Sequence, residues 1–230
     1  MIAGMAPRFT NDTLKFLRAL KRNNNREWFR SRKDEYERHV RAPMMAVIEQ
    51  LARDFPRVAP ELIASPKASL YRIYRDTRLR EDKTPLKTNA AAVFPWKGLA
   101  RHEGAGLYFE IAPGWVWIGG GMYAPQPPHL VKVREHIVDT WPEIRTITRR
   151  KAFVSRVGTL HGDRLTRVPR GFPADHPALE FLKHRQFLAS HEFPAELATR
   201  KDFYPTLLAT FTAIVPLVRF LNAPLSSAPS

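Results

Sequence analysis

LYFEIAPGWVWIGGG, residues 107–121, decides the fold of this chain. Leu107, Phe109 and Ile111 alternate with Tyr108 and Glu110, Pro113 and Gly114 supply a turn, and Trp115, Val116, Trp117 and Ile118 resume an extended run. A period of two on either side of a tight turn predicts a β-hairpin, because successive strand side chains point to opposite faces. A connection this short has no room for a crossover helix, so the pairing is antiparallel. Trp115 and Trp117 point one way and Val116 and Ile118 the other, so the second strand is expected to be covered on both sides. The runs 68–74 and Ala90–Phe94 can supply further strands, for a central, mainly antiparallel sheet of about four or more strands.

Both flanks of this hairpin turn helical. Upstream, Thr10 or Asn11 can cap a helix in which Phe9, Leu14, Leu17 and Leu20 recur at helical spacing, and Asn23 to Asn25 break and recap the chain. A second helix carries Trp28, Phe29, Tyr36 and Val40. Pro43 marks the start of a third, with Met44, Val47, Ile48, Leu51 and Phe55 as its apolar stripe. Downstream, Pro127 and Pro128 precede a helix with Leu130, Val133, Ile137 and Trp141, and 148–160 is ambiguous. Residues 203–221 are apolar with Arg219 the one charge, near the length of a membrane span. Pro205, Pro216 and the Thr and Tyr residues there favour a buried core helix with a proline kink, and no membrane partner is expected. The expectation is an α+β fold, one domain over 9–222, with the sheet flanked by N-terminal and C-terminal helices and frayed ends at 1–8 and 223–230.

Composition narrows the function classes. At 230 residues and 44% hydrophobic content, the chain is long and apolar enough to bury a sizeable core. The formal net charge of +15 favours anionic partners without choosing among them. No cysteine is present, which removes thiolate ligands and cysteine nucleophiles. That fits a reducing compartment. The N-terminus lacks the apolar run and cleavage site of a secretory signal, so a cytoplasmic location is expected.

The charge concentrates in LYRIYRDTRLREDKTPLKTN, residues 70–89. Arg72, Arg75, Arg78, Arg80, Lys83 and Lys87 outnumber Asp76, Glu81 and Asp82. Read as a strand, 70–76 places Tyr71, Ile73 and Arg75 on one face and Arg72, Tyr74 and Asp76 on the other. Arg72 beside Asp76 is either an internal ion pair or an orienting pair beside a ligand oxyanion. Pro85 extends Thr84 and helps make a donor-rich loop of Lys83, Thr84, Lys87, Thr88 and Asn89, suited to phosphate or carboxylate. The spacing is not that of a P-loop. Arg72, Arg75, Asp76, Lys83 and Lys87, together with Tyr123, form the candidate binding set, with Arg78 and Arg80 as surface charge. The competing reading is a loop pinned by its own ion pairs.

Other motifs carry less. Gly119 to Gly121 either admit a ligand or another backbone, with Tyr123 offering a hydroxyl, or form a bulge where the strand ends; the bulge is favoured. Asp175 and His176 sit beside Arg167 and Arg170 in a proline-punctuated loop and are outside candidates for proton transfer, against a helix-cap reading for Asp175. His129 with His136, and His184 with His191, lack the spacing of a zinc site, and no metal is expected. No GxSxG elbow occurs. Trp115 and Trp117 suit either core packing, which is favoured, or stacking on single-stranded nucleic acid.

RIYRDTR (72–78), DKTPLKT (82–88), NNNREWF (23–29), GGGMYAP (119–125) and LTRVPRGFPADHP (165–177) together resemble the proteins catalogued as domain of unknown function 2461. The resemblance covers about residues 9–222, and the pairing of RDTR with DKTPLKT is its most specific part. It implies a soluble bacterial and fungal group with no established activity. The family pattern has an aromatic after the second arginine and a tyrosine after the proline, where this chain has Leu79 and Leu86. The resemblance supplies no mechanism, and any cofactor is left open. The residues favour a small anionic ligand over nucleic acid, with catalysis and oligomeric state left open.

Overall fold

The computed structural model describes residues 6–76, 78 and 81–226. The expected frayed ends fall largely outside these residues, as do Leu79 and Arg80. Four strands, β1 (Ala90–Phe94), β2 (Gly106–Ile111), β3 (Trp115–Met122) and β4 (Phe187–Pro194), pair antiparallel in the order β1-β2-β3-β4. The helices are α1 (Asn11–Arg22), α2 (Arg26–Ser31), α3 (Lys33–Tyr36), α4 (Ala42–Val58), α5 (Pro66–Ser69), α6 (Pro127–Arg149), α7 (Lys151–Val157), α8 (Leu179–Leu182) and α9 (Phe203–Asn222). This is the α+β architecture that the strand alternation and the helical flanks predict.

One face of the sheet is the core. Leu107, Phe109 and Ile111 of β2, Val116 and Ile118 of β3, and Ala92 and Phe94 of β1 are buried with Phe203, Leu207, Phe211 and Ile214 of α9. Phe94 meets Phe211 edge-on with ring centroids 5.6 Å apart, and Phe55 of α4 joins both. Each such fully buried apolar side chain is worth about 1.5–3 kcal/mol. By length and composition α9 is the one helix among the described residues that could cross a membrane. Here it packs on the sheet and on α4, α6 and α7.

The other face of the sheet is open at β3 among the described residues, with Trp115 exposed and Trp117 half-buried, contrary to the expectation that β3 is covered on both sides. Tyr108, Glu110, Trp115 and Trp117 line a cleft instead. The expected glycine bulge is also absent. The register of β3 runs unbroken from Val116 to Gly121 against both neighbours. The glycines serve close backbone approach: a Cβ on Gly120 would lie 2.7 Å from the Gly106 carbonyl oxygen, and one on Gly121 would lie 1.9 Å from that of Phe187. Both strand edges are partly capped, by Leu70 against Ala92 and by His161 against Leu188.

Prolines explain the helix irregularities. The second and third helices expected from sequence run together from α3 through a π turn at Glu37–Arg41 into α4. Pro43 has no N–H for the His39 carbonyl four residues back, and the buried Thr13 hydroxyl of α1 donates to that carbonyl at 2.6 Å. In α6 the chain leaves helical geometry at Thr140, two residues before Pro142. The ambiguous 148–160 stretch contains α7. The helix implied by the cap reading of Asp175 is only the four-residue α8, and Asp175 is exposed and does not cap it; Ala178 N–H donates to His176 Nδ1 at 3.1 Å.

A buried polar contact ties α4 to α9. Tyr204 donates to Asp54 at 2.6 Å, and Gln50 and Arg57 also donate to that carboxylate. Burial pushes the Asp54 carboxyl up, but the bonds from Tyr204, Gln50 and Arg57 outweigh it and leave the group below its ordinary range. A carboxyl depressed in the folded state contributes stability above the unfolded value, near pH 4, and loses it as pH falls through the folded value. Tyr204→Phe should therefore cost about 1–3 kcal/mol in urea unfolding at neutral pH, with the gap from the parent narrowing once Asp54 is protonated. A gap that stays constant down to pH 2 would reject the coupling.

Candidate functional site

A cleft of about 1590 Å³ opens on the uncovered face of the sheet. Strand alternation sets its floor: Ala91 and Val93 of β1, Tyr108 and Glu110 of β2, and Trp115 and Trp117 of β3 all face away from the α9 core. Its other walls are the 70–89 segment and the loop carrying Arg101 and His102.

The 70–89 segment doubles back on itself rather than forming a strand of the main sheet, which corrects the strand expected over 68–74. Tyr71 N–H bonds the Ala91 carbonyl on the β1 edge, and Arg75 N–H to Pro85 and Lys87 N–H to Ile73 then close a narrow ladder. The alternation of burial is nonetheless the one read from sequence: Ile73 is buried, Tyr71 and Arg75 are half-buried, and Arg72, Tyr74 and Asp76 are exposed. The N-terminal layer holds this hairpin in place. Asn24 donates to the Leu86 carbonyl at 2.8 Å and accepts from its N–H at 3.1 Å, and Phe29 meets Tyr74 edge-on. Leu86 is fully buried, so the Asn24 amide satisfies backbone groups that water does not reach.

Of the candidate set, Arg72, Arg75, Asp76, Lys87 and Tyr123 line the cleft, and Lys83 does not. Arg75 is engaged within the hairpin, donating to Asp82 at 2.5 Å and to the Thr84 hydroxyl at 2.6 Å. The Thr84 backbone and hydroxyl, together with Arg75, bring the Asp82 carboxyl down to about 2. Asp76 takes a forked pair of bonds from Arg78, at 3.0 and 2.7 Å, instead of pairing with Arg72. Those bonds hold the Asp76 carboxyl well below the usual range, and Arg72 contributes only through-space charge. Arg78 thus has a defined partner, though it stays on the surface as expected. Tyr123 is 68% exposed at the rim. Asp175 and His176 are not in the lining, so nothing in the geometry joins them to this cleft.

Several lining residues were not singled out from sequence. Glu110 accepts from Tyr108 at 2.7 Å, from Trp115 Nε1 at 2.9 Å and from Asn89, so its carboxylate locks two aromatic edges to the hairpin. Burial raises the Tyr108 hydroxyl, and the Glu110 charge and hydrogen bond raise it further, which keeps it a donor. The signal was present, since Tyr108 and Glu110 alternate with the core residues of β2. Arg101 and His102 gave no such signal. Lys87 Nζ and the Arg101 guanidinium lie over the Tyr71 ring, 4.6 and 5.0 Å from its centroid. Burial and the Arg101 charge lower the His102 pKa and favour its neutral form. Trp115 and Trp117, expected in the core, are on the cleft face, and the Trp117 ring packs edge-on against Tyr108. Among the described residues no group of three or more His, Asp or Glu could hold a metal ion. His129 and His136 do share α6, whereas His191 is in β4.

Two separate motif stretches, NNNREWF and DKTPLKT, meet at the Asn24–Leu86 clamp, and a family model spans both. The chain belongs to the conserved hypothetical protein family DUF2461. The match covers residues 12–220, which takes in every element except the outer ends of α1 and α9, and the whole cleft. No curated protein and no solved structure shows a significant match to this DUF2461 chain.

In this family member, Asn24→Ala should strand the Leu86 N–H and carbonyl at a cost of about 1–3 kcal/mol in urea unfolding. It should also speed tryptic cleavage after Arg72, Arg75 or Lys87. A variant as stable and as protease-resistant as the parent would show that the clamp does not hold the hairpin.

Proposed function

We propose that this chain binds an anionic ligand, bearing phosphate or carboxylate groups, in the cleft beneath the 70–89 hairpin. One observation carries the reading: Lys67, Arg72, Arg75, Arg78, Lys87 and Arg101 line the cleft against only Asp76 and Glu110. An uncompensated cluster of like charge destabilises the protein that holds it, and an oxyanion relieves that repulsion. A loop-pinning role accounts for Arg75 and Arg78, which Asp82 and Asp76 engage. It does not account for Lys67, Arg72 and Arg101, which have no carboxylate within salt-bridge distance among the described residues.

In this reading Arg72 and Lys87 meet the ligand oxygens, Arg75 is held in position by Asp82 and Thr84, and Tyr123 offers a hydroxyl at the rim. Charge-assisted hydrogen bonds contribute about 1.5–3 kcal/mol each, so two or three support affinities in the millimolar to micromolar range. Binding that instead used cations scattered over the surface, as on nucleic acid, would depend on many Lys and Arg residues and fall steeply with salt.

Arg72 is the cleanest probe, because it is exposed and makes no hydrogen bond within the described residues. Pyrophosphate and citrate should raise the melting temperature of the parent. Arg72→Ala should lose at least half of that rise while its ligand-free melting temperature stays within about 2 °C, as surface substitutions do. Absence of any stabilisation by either anion, or full retention of it in Arg72→Ala, would sink the proposal.

A further inference from the structure

We infer that the anion taken by this cleft carries a nucleobase, so that the ligand is a nucleoside phosphate, either free or as a unit of a single strand. This rests on the anion-cleft reading above and adds the chemical class of the ligand. The first observation is size. A cleft of about 1590 Å³ exceeds the ~300–1,000 Å³ of common small-molecule sites and is far larger than a phosphate or small carboxylate needs. The ligand has a second part.

The second observation is what stands opposite the cations. Tyr71, Tyr108, Trp115, Trp117 and Tyr123 all line the cleft, on the side of the sheet that the core does not use. The polar edges of Tyr108 and Trp115 are already committed to Glu110. What Tyr108 and Trp115 have left to offer is their faces and apolar edges, which suit a planar ring better than a hydroxyl-rich one. Gly119 makes room for this arrangement: a Cβ there would lie 2.7 Å from the Cη2 atom of the Trp117 indole, so a side chain would displace the ring. A basic rim above aromatic side chains is the pairing by which bases stack and phosphates are held, and it works with any base because every base has a π face.

Tyr71 joins the two halves of the site. Its ring lies under Lys87 and Arg101 and meets Tyr108 edge-on at 6.3 Å. Cation and aromatic wall are therefore in direct contact, at the short range that separates a base from its phosphate.

Isothermal titration of the full chain with four probes tests this: pyrophosphate, ribose 5-phosphate, adenosine 5′-monophosphate and a short oligothymidylate. The nucleotide should bind about tenfold or more tighter than ribose 5-phosphate, the factor that stacking one base supplies. Trp117→Leu should remove that difference while leaving ribose 5-phosphate binding intact. Trp115→Leu provides a second variant on the same wall should Trp117→Leu fold poorly. Tighter binding of the oligothymidylate, falling steeply with salt, would identify a strand as the source, and equal or weaker binding would identify the free nucleotide. Pyrophosphate and ribose 5-phosphate binding as tightly as the nucleotide would overturn the nucleobase and leave the anion cleft standing. No binding by any probe would overturn both.

Discussion

Burial of one face of the sheet by α9 is the constraint on which the rest of the structure depends. Strand side chains alternate, so once Leu107, Phe109, Ile111, Val116 and Ile118 face α9, their neighbours must face away from it. A slip of one residue would drive Tyr108 and Glu110 into the core and expose three or four large apolar groups, at a cost of several kcal/mol. The glycines of β3 reinforce the same register, because only there can the Gly106 and Phe187 carbonyls approach so closely. The cleft floor is therefore a consequence of core packing. Its position does not depend on the hairpin that roofs it.

The roof depends on a different kind of bond. The hairpin buries little besides Ile73 and Leu86, and its cations repel one another. Asn24, the Tyr71 backbone bond to β1 and the ion pairs through Asp76 and Asp82 offset that repulsion. All of these are polar contacts, for which stability per contact is modest. The hairpin should accordingly be among the less stable parts of the fold, as ligand-facing segments commonly are.

How far the sequence could be read follows from how far each signal reaches. Periods of two and 3.6 are local, so β2, β3, α4 and α9 were legible, as was the burial pattern of Tyr71 to Asp76. Pairing with distant partners was not. The strand expected at 68–74 has the right alternation, but only Leu70 and Tyr71 reach β1 before the chain turns back to Pro85. Trp115 and Trp117 look like core residues by hydrophobicity alone, and only the lack of a second covering layer makes them a cleft wall. The Gly119 to Gly121 run looks like a strand end because glycine weakens strands, whereas here close neighbouring backbones require it. Arg101 and His102 enter the site through a loop whose position no local pattern encodes. Asp175 and His176 are a chemically suggestive pair in sequence, and the fold leaves them out of the lining of this cleft.

Tyr71 shows why charge counting along the chain could not have defined this site. Lys87 and Arg101 are far apart in sequence, and only Lys87 belongs to the basic stretch. Both lie over one tyrosine ring, whose electron-rich face attracts each by about 0.5–2 kcal/mol. That attraction holds two cations near each other without neutralising either, which a carboxylate in the same place would do. Burial raises the Tyr71 pKa even as Arg101 pulls it down, so the ring stays a neutral phenol at physiological pH. An aromatic platform thus lets the cleft keep its positive charge while joining the hairpin to the 95–105 loop, and the pairing of rings with cations is a structural requirement of the cleft before any ligand arrives.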